Sequence, residues 1–299
     1  MRTPMLALLF LAFSAACAAA QQRLDHRRPL RADGFVRIHN LVGSTRVIGW
    51  DRDSIVVTGT LEEDGGRFYA GGSEEGVKLG VDPGLRKADA SVRVLGAAPA
   101  HLDVRVPAGA RVWIRAASAT VDVSGVTGGI DVASVTGNIR ITGRPREAIA
   151  ESMAGDIVIE AADPMTIRAK SAAGAVSLSG GARDVSVTTV TGSITIANGV
   201  YERGLFESID GAIRFEGDPA LGGDLEFINH AGLVELRLPA NVSADFLVNT
   251  FSGEVENAFG SYPIETWPDM RRELTFSRGS GGANVVIRTF KGRVSLKER

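Results

Sequence analysis

A repeat centred on glycine leaves this chain few ways to fold. Around Gly192, apolar residues stand at −7, −5, −2, +2 and +4: Val185, Val187, Val190, Ile194 and Ile196. The same frame on Gly137 gives Ile130, Val132, Val135, Ile139 and Ile141, and on Gly174 it gives Ile167, Ala169, Ala172, Val176 and Leu178. Gly155 and Gly211 carry looser copies, so the anchors fall 18 or 19 residues apart. Gly232 and Gly253 follow at steps of 21, Gly292 comes 39 residues later, and Ala119 and Gly43 extend the series upstream. A fixed period of this length marks a solenoid.

Within each copy, spacing by two is strand period, with both members on one face. Valine, isoleucine and threonine dominate, as strands prefer. The odd step from −5 to −2 and the glycine itself require a corner, where glycine suits a sharp bend or a positive φ. The expected fold is therefore all-β: a single-stranded β-solenoid, parallel β-helix-like, with about 18–21 residues per rung and rungs about 4.8 Å apart. One rung cannot stand alone. Five buried aliphatics contribute about 1.5–3 kcal/mol each, while ordering its backbone costs about 1–2 kcal/mol per residue. Stacking decides the balance, and the ends need caps.

Position −3 reads Asn40, Ser134, Ser152, Ser171, Thr189, Ser208, Asn229, Thr250 and Thr289, broken by Ala116. Small hydroxyls and amides stacked at a corner can bond backbone and one another. A regular ice-binding face is rejected, because Ala154, Ala173 and Ala231 at −1 spoil its regularity.

Residues 1–20 have the form of a signal peptide: Arg2, an apolar run from Met5 to Ala16, and small residues before Gln21. The run is too short for a permanent membrane span. Two readings stay open, cleavage after Ala20 or lipidation of Cys17, which follows Ser14-Ala15-Ala16. Both imply export, to the periplasm or outer surface of a bacterium. Cys17 is the only cysteine, so no disulfide or thiolate metal site is expected. A net charge of −2 offers no case for nucleic acid.

Residues 21–34 read as a polar, basic tether, with contact to an anionic surface polymer as the sharper alternative. Residues 35–107 read as an irregular β-rich cap, with alternating runs at Ser54–Leu61, Val77–Val81, Ser91–Leu95 and His101–Val106 and a loop or long hairpin at Glu62–Gly76. Residues 108–299 hold the repeats, interrupted by an insertion at about 258–283. That insertion carries Tyr262 and Trp267, candidate partner contacts, although packing over the open end of the stack is the stronger expectation.

Chemistry is hard to find. His26, His39, His101 and His230 lack a second ligand at metal spacing. No column stacks acids, and Arg214/Glu235 and Lys170/Glu151 read as cross-rung ion pairs. Gly279–Gly282 does not open a helix and is no phosphate loop. No catalytic residue, metal or cofactor is expected.

The ordered set Leu102-Asp103-Val104-Arg105-Val106-Pro107-Ala108-Gly109-Ala110, the Gly-x-Ile-x-Ile copies, Leu236-Arg237-Leu238-Pro239-Ala240 and Thr289-Phe290-Lys291-Gly292 resembles the bacterial putative-adhesin family, a domain of unknown function built from β-strand repeats. The resemblance spans roughly residues 35–297 and implies an exported β-solenoid without catalytic residues. The expected function is a non-enzymatic cell-envelope protein with an adhesin-like binding or scaffold surface. Its partner would be an envelope polymer or envelope protein, with membrane contact only through a lipid anchor. A carbohydrate-active β-helix enzyme is the alternative; it would place two carboxylates in one groove.

Overall fold

In the computed structural model, residues 21–62, 66–82, 98–162, 165–268 and 271–299 are described. Every regular element among them is a strand, and the 25 strands join in one unclosed hydrogen-bonded sheet. The segment expected to be a signal peptide, with Cys17, and the run Ser91–Leu95 lie outside the described residues.

The strands stack in two parallel columns. One column carries the −5 positions: Leu79, Ile38, Ile114, Val132, Ala150, Ala169, Val187, Phe206 and Phe227 are successive register neighbours. The other carries +4: Val104, Val47, Val123, Ile141, Ile159, Leu178, Ile196, Phe215 and Leu236. Val176 is paired with Ile157 on one side and Ile194 on the other. These side chains are buried, forming one continuous aliphatic core. Where the step lengthens towards 21 residues, Tyr201, Phe206, Phe215 and Phe227 fill the wider interior, with ring centroids 5.0–5.7 Å apart.

The corner differs from expectation in two respects. Position −2 points outward and −3 inward, because the chain turns between −5 and −2 and reverses the alternation. Ser134, Ser152, Ser171, Thr189, Ser208, Asn229, Thr250 and Thr289 are therefore the buried ones. Four of them are satisfied locally: the Gly137, Gly155, Gly211 and Gly253 N–H groups donate to the −3 oxygen at 2.8–3.0 Å. Asn229 Nδ2 instead donates across to the Gly211 carbonyl at 2.8 Å, and its Oδ1 is left without a partner among the described residues. Thr189 Oγ1 donates to the Gly192 carbonyl at 2.7 Å. Secondly, Gly192 is required by close approach rather than by positive φ: a Cβ there would sit 2.0 Å from the carbonyl oxygen of Gly174, the equivalent glycine one rung below. A positive φ occurs instead at Asn198 (58°) and Gly199 (100°), where the strand Ile194–Ser208 bulges between the columns.

Chain order and stacking order part company at the C-terminal end. The strand Ala283–Thr289 lies between Ile213–Asn229 and Ala244–Thr250, pairing in parallel with both. Val294–Glu298 likewise lies between Val234–Leu238 and Val255–Asn257. The Gly292 copy is thus lodged between the Gly232 and Gly253 copies. The intervening segment returns as Arg272–Arg278, antiparallel to Ala244–Thr250. Phe276 stacks on Phe246 at 4.6 Å and Tyr262 on Phe276 at 4.7 Å, closing that end of the core.

The sheet is mixed at both ends, against the expectation of a purely parallel coil. Gln21–Pro29 is a strand and not a tether; it runs antiparallel to Ser54–Glu62, which runs antiparallel to Ala100–Pro107. Leu24 and Leu30 bury into the core there. Arg67–Gly72 and Gly76–Asp82 form an antiparallel hairpin whose second strand pairs with Phe35–Asn40.

Candidate functional site

The outward positions at the N-terminal end of the first column form a cationic and aromatic surface. Register places Gly71, Lys78, Arg37, Trp113 and Asp131 side by side in one row. The next row holds Tyr69, Gly80, His39 and Arg115. Phe35, Arg37, Tyr69, Gly71, Gly76 and Lys78 line an open groove of about 480 Å³. The rings are half-buried and the two cations exposed. Arg37 lies 5.0 Å from the Phe35 centroid and 5.9 Å from that of Trp113, Lys78 lies 5.8 Å from Tyr69, and Arg115 lies 3.7 Å from Trp113. Arg115 also pairs with Asp131 at 2.7 Å.

The local field is positive. His39 is pushed below its ordinary pKa, first by burial and then by the charges of Lys78, Arg115 and Arg37. Burial, with Asp82 adding, pushes the Tyr69 hydroxyl up. Arg28 ties the groove's rim to the edge strand by donating to the Gly72 carbonyl at 2.6 Å.

A second exposed feature runs along the corner. Because −2 faces outward, Val135, Met153, Val190, Ile209, Phe290 and Phe251 are 39–63% exposed. His230, Phe290 and Phe251 continue the line as three nearly parallel, stacked rings with centroids 4.9 and 5.0 Å apart.

Tyr262 is half-buried against Phe276, whereas Trp267 is exposed beneath Arg271 at 5.6 Å. Among the described residues, no three His, Cys, Asp or Glu side chains converge. His101 bonds Ser44 at 2.9 Å, and His26 sits edge-on to Phe68. Glu151 and Lys170, and Arg214 and Glu235, are register neighbours, but neither couple forms the expected ion pair. Glu235 pairs elsewhere, with Lys297 at 2.5 Å and Arg237 at 2.9 Å.

Glu216 and Glu235 do line one shallow groove of about 180 Å³ with Arg214 and Arg237. A glycosidase needs one carboxyl held protonated by a raised pKa. The Lys297 hydrogen bond and the Arg237 contacts hold Glu235 below the usual carboxylate range, the opposite direction from the shift such an acid needs.

Sequence reasoning missed the cationic surface. The signal was present in the −6 and −4 positions of the Gly43 and Ala119 copies, which read Arg37, His39, Trp113 and Arg115. Outward positions carry no periodic apolar pattern, and the hairpin that supplies Tyr69 and Lys78 lies outside the frame.

No known family's sequence profile matches the chain. No curated protein is similar to it at a significant level. Among solved structures, one described as a putative lipid binding protein from Parabacteroides distasonis is 8% identical and covers 93% of this chain and 96% of its own, with a TM-score of 0.55. One described as a putative adhesin from Parabacteroides merdae is 7% identical over 93% and 96%, with a TM-score of 0.44. The first likeness is one of fold alone, and the second is too distant to carry any argument.

Proposed function

We propose that the chain is an exported, non-enzymatic scaffold of the bacterial envelope, a β-solenoid whose rigid flank attaches to another envelope component in an adhesin-like way. The two parallel columns in period register support the solenoid. The antiparallel strands at either end are then its caps, shielding edges that would otherwise pair with other chains. The single observation that carries the attachment role is the line of outward apolar side chains at −2, ending in the His230–Phe290–Phe251 ring stack. Contiguous exposed apolar surface on a soluble protein marks a contact site, and stacking in register holds these rings rigidly. A flat, preordered line suits an extended protein partner, since little side-chain entropy is lost on docking.

The test is a pull-down from envelope fractions with wild type and with Met153→Ser/Phe251→Ser/Phe290→Ser. Recovery of a defined envelope protein by wild type, lost in the triple variant, supports the reading. Recovery of nothing by wild type, or equal recovery by both, sinks it.

A further inference from the structure

We propose that the groove between the Arg67–Gly72/Gly76–Asp82 hairpin and the strand Phe35–Asn40 binds a polyanionic saccharide. This site is distinct from the apolar corner line.

Charge provides the first argument. Lys78 and Arg37 are directly opposed across a parallel pair, an arrangement that costs stability when the charges are alike. Trp113, not an acid, stands on the other side of Arg37. Among the described residues, no carboxylate lies within ion-pair distance of Lys78, Arg37 or the neighbouring Arg111; of the acids nearby, Asp131 is engaged by Arg115 and Asp82 acts on Tyr69 at the end of the hairpin strand. Some exposed cations elsewhere on the stack have partners one rung away, such as Arg140 with Glu160 and Arg203 with Asp184, but at none of those pairs does a second cation face the first in register as Lys78 faces Arg37. Here the fold tolerates an unbalanced pair, and a bound anion would relieve it.

Shape and chemistry supply the rest. Glycine at 71 and 76 leaves the floor of the groove without side chains, and a Cβ at Gly71 would meet no atom within 4 Å. Phe35 and Tyr69 present half-buried rings beside that floor. Flat C–H faces of a sugar ring pack on such rings, while a guanidinium grips a carboxylate or sulfate through paired N–H donors. The volume of 480 Å³ falls inside the range of about 300–1,000 Å³ usual for small-ligand sites. The surface is also bounded: Asp131 closes one side and Glu74 and Glu75, at the hairpin turn, another, with Glu75 facing Arg31 at 3.9 Å. A short cationic patch on a chain of net charge −2 fits a few charged sugar units. Nucleic acid would need a longer run of phosphate contacts.

Isothermal titration of the full chain tests this, with polygalacturonate, dextran sulfate, neutral dextran and single-stranded DNA as probes. Binding of either charged polysaccharide but not dextran is expected, weakening as salt rises. Binding of only one of the two identifies the anionic group as carboxylate or sulfate. Arg37→Gln/Lys78→Gln should weaken binding by at least about tenfold, and its melting temperature should equal or exceed wild type, because the opposed cations are gone. Tyr69→Ala should weaken saccharide binding with the fold retained, and Phe251→Ser/Phe290→Ser should not weaken it. Equal binding of neutral dextran, DNA binding as tight as the saccharides, an unaffected double variant, or no binding at all overturns the proposal.

Discussion

Replacing Gly192 by alanine adds one methyl group where two rungs meet. The new Cβ would lie 2.0 Å from the Gly174 oxygen and 2.7 Å from its carbonyl carbon. Comfortable carbon contact begins at about 3.5 Å, so the rungs must part locally by about 1.5 Å. Thr191 N–H donates across this gap to the Ala172 carbonyl at 2.9 Å, and such a displacement breaks that bond. Overpacking costs about 1–3 kcal/mol, and losing that hydrogen bond, at a corner where Thr191 is exposed, about 0.5–1.5 kcal/mol. Against this stands a gain of about 0.4–1 kcal/mol from reduced freedom of the unfolded chain. The net expectation is a loss of about 1–3 kcal/mol. In urea, with a slope of about 1–3 kcal/mol per molar, the midpoint should fall by about 1 M. Gly71→Ala, with no atom within reach, is the control and should leave the midpoint unchanged or slightly raised. A Gly192→Ala midpoint equal to wild type would refute the close-approach account of the corner.

Three further outcomes are expected. Ile194→Asp buries an unpaired charge between Val176 and Ile213 and should cost more than about 4 kcal/mol or abolish folding, read by circular dichroism melts. Ser208→Ala removes the acceptor of the Gly211 N–H at 3.0 Å and should cost about 1–3 kcal/mol in the same melts. Because Glu235 is held below the ordinary carboxylate value of 4.5 by Lys297 first and Arg237 second, its contribution is present above that value. It is lost as pH falls through the lowered one. Glu235→Gln should therefore flatten the acid limb of a stability-versus-pH curve below 4.5 and leave its shape near neutrality unchanged.

How much of this was legible follows from where each residue points. Val176, Ile194 and their equivalents face a dry core, so apolar character repeats every turn and shows in the sequence. Position −2 carries the same apolar letters at Val135, Met153 and Val190 but faces solvent, since composition alone cannot reveal that a corner inverts the alternation. The edge strand Gln21–Pro29 looked like a tether because an edge resists unwanted pairing with charge and proline, and only Leu24 and Leu30 betray its inner face. The lodging of the Gly292 copy between two earlier ones was hidden for a different reason. Leu225, Val285 and Phe246 occupy equivalent frame positions, so any order among them satisfies the pattern. The aromatic cap of Phe259, Tyr262 and Phe276 settles the order, and it lies outside the repeat. Lys78 and Tyr69 of the groove belong to an irregular hairpin, and only register with Arg37 and Gly80 reveals their company.

Cysteine pairs placed on outward neighbours test the stacking itself, since adjacent parallel strands lie about 4.8 Å apart, within disulfide reach, and next-but-one strands lie beyond it. Under mild oxidation of the full chain with Cys17 replaced by serine, Val158→Cys/Ser177→Cys and Glu226→Cys/Val286→Cys should cross-link rapidly. Glu226→Cys/Leu247→Cys, which chain-order stacking would make neighbours, should not. Failure of the first pair would contradict period register, and rapid closure of the last would contradict the lodged C-terminal strand.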